Sequence, residues 1–454
     1  MMKHLAPKSF RAFACAAGAC PDSCCRAGWE IVPDEETLKL YEKLEGAAGA
    51  RVQAGIVPAK AFPLRGRWHR ASHGSPMTDE VDSRTAEPDE PLLRQDGNRV
   101  CVLLDPDGLC HVQRHFGHEA LCRVCREYPR FHREFGNLTE HGLSLSCPTA
   151  YALAVSAPLE WETWEDEAPV VPNELDPETY LRLRRGRELA LALLAREELP
   201  LGRRVQLLRR LAASMQAAPE RQIHHDYALR LRRWETAAAV GAAIGRPPEA
   251  PGGGMQNAKC IMHNEGDGGR GLPRRCAHWL AMTGSETAAT VGAHSVRQRG
   301  TCPLSPVTCH LDRLAERFAG LEILSPTWGE KLAQLRAHLK NRAGAQCAPL
   351  RGTRTAECRP YVQGGAGAQC APLREPWETD TPEVYARYLA YSLYKYWLDA
   401  LDDGNLLGRV ERSISMTLLG LAMDQAFPGE GPFLQRISRE IEHCEENLAA
   451  LLHA

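Results

Sequence analysis

Four cysteines fall within eleven residues in "CAAGACPDSCC": Cys15, Cys20, Cys24 and Cys25. Five more follow at Cys101, Cys110, Cys122, Cys125 and Cys147, so nine of the 17 cysteines lie in residues 1–147. Thiolates are soft ligands that suit zinc, Cu(I) and iron–sulfur clusters. Close spacing lowers the chain-entropy cost of bringing them together. Cys122 and Cys125, in "LCRVCREYPR", have the two-residue spacer common to zinc knuckles and cluster ligands. A disulfide framework fits poorly with an odd count in a chain that reads as cytoplasmic. Buried packing thiols are the remaining alternative, and the clustering favours a metal. His111, His115 and His118 lie among the cysteines and suit zinc, although exposed helical histidines are commonplace. Spacing alone leaves zinc and iron both open. The C-x3-C-x2-C triad of radical S-adenosylmethionine enzymes is lacking, because Ala27 or Gly28 stands where its third cysteine would fall.

The elements that position these residues read as mainly α: a cysteine-rich N-terminal metal-binding unit, then an α-helical bundle region with long irregular insertions. The unit spans 1–155. In it, "PDEETLKLYEKLEG" predicts a helix capped by Asp34, with Leu38, Tyr41 and Leu44 at helical spacing and Gly46 as its stop. Residues 66–91 are polar and breaker-rich, as a surface loop insertion would be. The span 156–342 is a helical region, with three or four helices expected over 177–245. Its Arg-rich stretch 180–235 reads as a solvated face, and 246–310 as an irregular insertion. "AGAQCAPLR" occurs at 343–351 and again at 366–374, so 343–376 is a low-complexity repeat insertion whose Cys347 and Cys370 carry no role. Residues 377–454 are C-terminal helices, two joined at "DDGN" and a third closing the chain. No series of strand patterns is evident. The formal net charge of -2 gives no commitment to nucleic acid or an anionic membrane. No apolar run approaches a membrane span.

"FACAAGACPDSCCRAGWEIVPDEETLKLY", "CVLLDPDGLCHVQRHFGHEALCRVCREYPRF" and "LSLSCPTAYAL" resemble the flagellin lysine-N-methylase family of bacteria. "YLAYSLYKYWLDALDDGNLLGRV" and "ISREIEHCEENLAAL" resemble its C-terminal helices, so the likeness covers about 1–65, 95–160 and 382–452. The cysteine pattern is also similar to a broader cysteine-cluster family that chelates zinc or iron, though "CVLL" departs from its Cys-Pro-Phe-Leu element. The resemblance implies methyl transfer from S-adenosylmethionine to lysine side chains of flagellin, in the cytoplasm. It further implies that the cysteines hold an iron–sulfur cluster of the 4Fe-4S type, with zinc as the alternative metal. Four thiolates suffice for one cluster. The competing functions are an iron- or zinc-binding module without methyl transfer and an interaction protein with a structural zinc.

Methyl transfer needs a neutral amine, whereas free lysine has a pKa of about 10.4. A hydroxyl or carboxylate must take the proton. Glu127 and Tyr128, next to Cys125, are the catalytic candidates, with Glu440, Glu442 and His443 as a C-terminal polar set. For Tyr128 the plainer role is a buried tyrosine bonded to backbone. Glu440 and His443 form an E-x-x-H without the second copy a di-iron bundle needs, which suggests a surface pair or a structural contact. Tyr385, Tyr388, Tyr391 and Tyr394 recur every three residues and read as core rather than an aromatic pocket. No Gly-rich turn follows a strand, so the cofactor pocket is not located.

Overall fold

The computed structural model describes residues 1–58, 91–168, 175–217, 306–346 and 382–452. The 246–310 insertion, up to its last five residues, the 66–91 loop except residue 91, and the 343–376 repeat from 347 onward lie outside them. So does 218–245, where further helices are expected. Met1–Glu235 with Pro303–Ala454 form one unit; Thr236–Cys302 form a second, outside the described residues.

The chain opens with β1 (Met2–Pro7) and a single turn, α1 (Ser9–Ala12). Next come α2 (Glu35–Glu42) and α3 (Gly46–Ala54), then a small ribbon of β2 (Ile56–Pro58) and β3 (Pro91–Leu93). Short helices α4 (His111–Phe116) and α5 (Arg123–Glu127) precede β4 (Arg130–Phe135), β5 (Leu138–Leu143), α6 (Pro148–Ser156) and β6 (Trp161–Asp166). Then follow α7 (Pro177–Leu194), α8 (Leu201–Ala217), α9 (Pro306–Ala319) and α10 (Pro326–Gln346). The C-terminal set is α11 (Glu383–Tyr396), α12 (Ala400–Asp403), α13 (Leu406–Ala426), α14 (Phe433–Ile441) and α15 (Glu445–Ala450).

Asp34 caps α2 as the sequence predicts, accepting the Thr37 N–H at 3.0 Å. Gly46 does not stop that helix; α2 ends at Lys43, and Gly46, at φ +75°, opens α3. At "DDGN", left-handed Gly404 closes α12, and Asn405 caps α13 by accepting the Gly408 N–H at 3.0 Å. The expected third C-terminal helix is two, interrupted at Glu442–Cys444.

The mainly α expectation holds, with one correction: there is a mixed four-stranded sheet, in the order β4-β5-β1-β6. β1 runs parallel to β5, pairing His4 with Thr139, and antiparallel to β6, pairing His4 with Trp164. The face bearing Arg133, Phe135 and Glu140 packs on the helices. Glu140, only 2% exposed, receives a two-point contact from Arg187 of α7, one arm at 2.7 Å. Arg133 pairs with Asp399 at 2.5 Å. On the other face His141 bonds to His132 at 2.6 Å and to His4 at 2.8 Å, and His4 stacks on Trp164.

Helices α7, α8, α11, α13 and α14 bury the main core, which includes Leu183, Leu211, Leu389, Val410, Leu418 and Ile437. Helix α13 is buried on nearly all sides, as befits the centre of a bundle. The four tyrosines of α11 are core, and their phenols tie it to α13, α14 and β5. Tyr385 bonds Asp424, Tyr388 bonds Ser438, Tyr391 accepts the Leu143 N–H, and Tyr394 donates to the His141 carbonyl. The Arg-rich stretch is not simply a solvated face. Arg187 and Arg204 are buried and paired with Glu140 and Glu383, while Arg185 stays outside beside Glu188. A smaller core of Tyr41, Val52, Leu93, Leu103, Val112 and Leu121 underlies the cysteine segments. Among the described residues no helix is long and apolar enough to cross a membrane.

Candidate functional site

Cys24 and Cys25 begin a single 3-10 turn, Cys24–Arg26, capped by Ser23, whose hydroxyl accepts the Cys25 N–H. The Cys25 carbonyl accepts the Cys101 N–H at 2.9 Å, which fixes the first cysteine segment to the second. Isolated bridges pair Gln95 with Cys101 and Leu104 with Cys110. Cys122 precedes α5 and Cys125 lies within it. The Arg123 N–H donates to Asp34 at 2.8 Å, so the residue that caps α2 also holds the start of α5.

These segments bring Cys24, Cys25, Cys101 and Cys125 onto one pocket of about 40 Å³, walled also by Trp29, Gln95, Val124 and Tyr128. A cavity needs roughly 10–15 Å³ to hold one water, so this one has room for more than that. Neighbouring thiols settle into pairs. Hydrogen bonding from Cys24 lowers the Cys25 thiol to about 7 and raises Cys24 well above the usual thiol range. Hydrogen bonding from Cys125 likewise lowers Cys122 and raises Cys125. Burial pushes Cys101 up to about 12 and also raises Cys110, where the Gln113 and Val112 N–H groups pull the other way. Cys110 and Cys122 lie close enough to act electrostatically on Cys101. Cys15, Cys20 and Cys147 form a second neighbourhood, with Cys24 within electrostatic reach of Cys15 and Cys147. These nine cysteines and Cys444 are free thiols.

Among the described residues, the one set of three metal-ligating side chains with atoms within 4.8 Å of one another is Asp105, His111 and His115. Asp105 there is already engaged by Arg51 at 2.7 Å and Arg114 at 3.0 Å, and two guanidinium groups are poor neighbours for a cation. No three described thiols reach that compactness. A tetrahedral zinc–thiolate site has sulfurs roughly 4 Å apart, given zinc–sulfur bonds of about 2.3 Å. Thiolates on separate irons of one cluster stand wider, and four pocket sulfurs match the number such a cluster takes.

The remaining candidates separate. Tyr128 lines the pocket and bonds Ser146 Oγ at 3.1 Å. Burial raises its phenol well above the ordinary range. Glu127 does not line the pocket; it pairs with Arg123 at 2.8 Å. Glu440 is not a surface residue: it is 4% exposed and accepts the N–H groups of Leu324 at 2.7 Å and Ser325 at 3.3 Å, a structural contact. His443, 3% exposed, has neither ring nitrogen partnered among the described residues, and burial pushes it down to about 4. Sequence reasoning passed over Trp29 and Gln95 as pocket walls, and over Asp34 as the link between α2 and α5. It also passed over buried Cys444, whose thiol donates to Glu446 at 3.1 Å. The signal for Trp29 was its place four residues after the cysteine pair.

No family profile matches the chain, and no solved structure matches it. Curated relatives do. Over 147 residues, 32% of this chain, it is 30% identical to a flagellar biosynthetic protein, FliU, of Salmonella muenchen, and the alignment covers 73% of that protein. Over 147 residues it is also 30% identical to a lysine-N-methylase of Salmonella choleraesuis and 29% identical to one of Salmonella typhimurium. The chain spans only about a third, 31%, of the length of each of those two. With most of the FliU relative covered at this identity, the chain belongs to the family of the flagellar biosynthetic protein FliU.

Proposed function

We propose that the protein is a lysine N-methyltransferase that moves a methyl group from S-adenosylmethionine to lysine side chains of flagellin, and that its pocket thiolates hold an iron–sulfur cluster. The observation that carries this is the convergence of Cys24, Cys25, Cys101 and Cys125 on one pocket with Tyr128, in a chain whose relatives include proteins named lysine-N-methylase. When bound, such a cluster supplies electron-transfer chemistry and coordinating iron. The four pocket cysteines would hold it, with Cys110 and Cys122 behind them tuning the charge they share.

The chain's own residues have two tasks. One is to orient a substrate amine and keep water from it; Trp29 and Val124 give the pocket apolar walls for the lysine stem. The other is to take the amine's proton, since only the neutral amine has a lone pair for displacement at a sulfonium methyl. Tyr128 is the hydroxyl on that pocket.

The test is to purify the protein without oxygen, record its visible spectrum and metal content, and incubate it with methyl-labelled S-adenosylmethionine and flagellin. Iron with a cluster chromophore and label on flagellin lysines is the expected result. An iron chromophore with no transfer would leave a metal-binding module. A colourless protein containing zinc alone would replace both with a structural site.

A further inference from the structure

We infer that three imidazoles, His132, His141 and His4, form an acid-sensitive clasp that holds strand β1 in the sheet and releases it as the pH falls toward 5. The inference is independent of the methyltransferase reading.

The row of rings crosses three strands. His141 of β5 uses both ring nitrogens: Nδ1 lies 2.6 Å from His132 Nδ1 on β4, and Nε2 lies 2.8 Å from His4 Nδ1 on β1. Beyond it, His4 Nε2 stands 3.0 Å from Asp166 Oδ2 on β6. His141 is 8% exposed, whereas His132 is exposed on an edge strand. Phe10 of α1 lies against His141, and Trp164 stacks on both His4 and His141.

Such a row has room for few hydrogens. A ring nitrogen either carries a hydrogen or offers a lone pair, and a hydrogen bond holds a single hydrogen between its two nitrogens. The intact row therefore has four places: the two shared bonds and the outer nitrogens, His132 Nε2 and His4 Nε2. Three neutral imidazoles bring three hydrogens, one of them facing the Asp166 carboxylate. One added proton fills the row. A second sets two N–H groups against each other and breaks a bond. Separated, the same rings take up three protons, each near the ordinary imidazole pKa of about 6.5. In acid the open form therefore binds at least two protons more than the closed form. Linkage keeps the clasp closed above about pH 6.5 and opens it progressively below.

The surroundings resist even the first proton. Burial, then the neighbouring His132, His4 and Arg11, push His141 down to about 3, against a pull from Asp166. Burial also lowers His132, which has Glu127 and Arg123 of α5 and Arg130 and Glu134 of β4 around it. The Asp166 carboxyl is held below its usual range by the Ala168 N–H and by His4, with the Met1 ammonium nearby. Arg11 turns to Glu162 at 3.4 Å and to the Trp164 ring. What the clasp controls follows in sequence: β1 runs into α1, and Cys15 lies three residues beyond α1.

Hydrogen exchange of the full chain tests the clasp. Exchange of peptides covering β1 and α1 is followed by mass spectrometry at pH 7 and pH 5 and divided by the intrinsic rate at each pH. Peptides from α13 serve as the reference for the bundle. The opening constant of β1 is expected to rise at least about a hundredfold from pH 7 to pH 5, three imidazoles near 6.5 set against a single proton on the closed row. Helix α13 is expected to stay protected. His141→Gln and His132→Gln each remove one of the three groups, and each is expected to cut the rise about twenty-fivefold. A substitution that only loosens packing speeds opening equally at both pH values and leaves the rise unchanged. His132→Gln, at the exposed end, carries the test if His141→Gln does not fold. A smaller rise in the wild type, a rise undiminished in the variants, or opening of α13 in step with β1 overturns the clasp.

Discussion

Asp34 holds three groups at once: the Thr37 N–H and hydroxyl at 3.0 and 2.8 Å, and the Arg123 N–H at 2.8 Å. The first two start α2; the third sets the start of α5 and with it Cys122 and Cys125. Burial works to raise this carboxyl, but the donors hold it below the ordinary range. A group depressed in this way stabilises the fold above its unfolded pKa of about 3.9, and the contribution fades as pH falls through the folded value. Asp34→Ala is therefore expected to cost about 1–2 kcal/mol at pH 7, measured by urea unfolding. The deficit should shrink below roughly pH 4; a deficit that persists undiminished in acid would show the carboxylate charge to be irrelevant. At the same scale, Cys24→Ala and Cys125→Ala are each expected to lose the iron chromophore of protein purified without oxygen, because each removes a pocket sulfur. Retention of the chromophore in both would break this ligand assignment.

At the scale of elements, the sheet and the bundle meet through charge. Glu140 of β5 and Arg187 of α7 are buried face to face, and Arg187 also donates to the Tyr394 carbonyl of α11 at 3.2 Å. Removing one partner of such a pair leaves the other uncompensated in the interior, which typically costs about 3–5 kcal/mol, whereas replacing both by apolar groups is often neutral. Arg187→Met is expected to lower the unfolding free energy measured in urea by about 3–5 kcal/mol, and Arg187→Met with Glu140→Leu to recover most of it. Equal losses in single and double variants would mean that Arg187 acts through packing alone. This pair also explains why the sheet was not legible. Strand patterns are read from apolar residues at alternate positions. In "RFHREF" and "LTEHGL" the inward positions include Arg133 and Glu140, so the pattern carries charges where the rule expects apolar side chains. The β1–β5 pairing joins residues far apart in sequence, which no local window can detect. Helices were legible for the opposite reason: Asp34 and Gly404–Asn405 act through neighbours within a few residues.

At the scale of the whole molecule, the cysteine pocket depends on the far end of the chain. Four of the nine N-terminal cysteines line one pocket, a nearness that their clustering in the sequence made legible. What holds them was not, because no local pattern announces a contact across several hundred residues. Gln435 of α14 donates to the Ser146 carbonyl at 2.6 Å and to Asp22 at 3.3 Å. Arg439, one turn on, pairs with Asp22 and donates to the Arg26 carbonyl at 3.1 Å. Together they grip the loop on both sides of Cys24 and Cys25. From the middle of the chain, the Leu324 carbonyl receives Arg99, which also donates to the Gly28 carbonyl at 2.7 Å. Hydrogen bonds to charged groups contribute about 1.5–3 kcal/mol each, and about 1.4 kcal/mol is a factor of ten in an equilibrium constant. On the proposed cluster reading, the chain carrying Gln435→Ala and Arg439→Ala together is therefore expected to hold the metal at least about tenfold more weakly. Metal loss to a chelator, followed by the visible spectrum, measures this, with a melting curve to confirm that the bundle is intact. Retention equal to the wild type would mean that the cysteine segments arrange themselves without α14, and that the pocket is a property of the N-terminal residues alone.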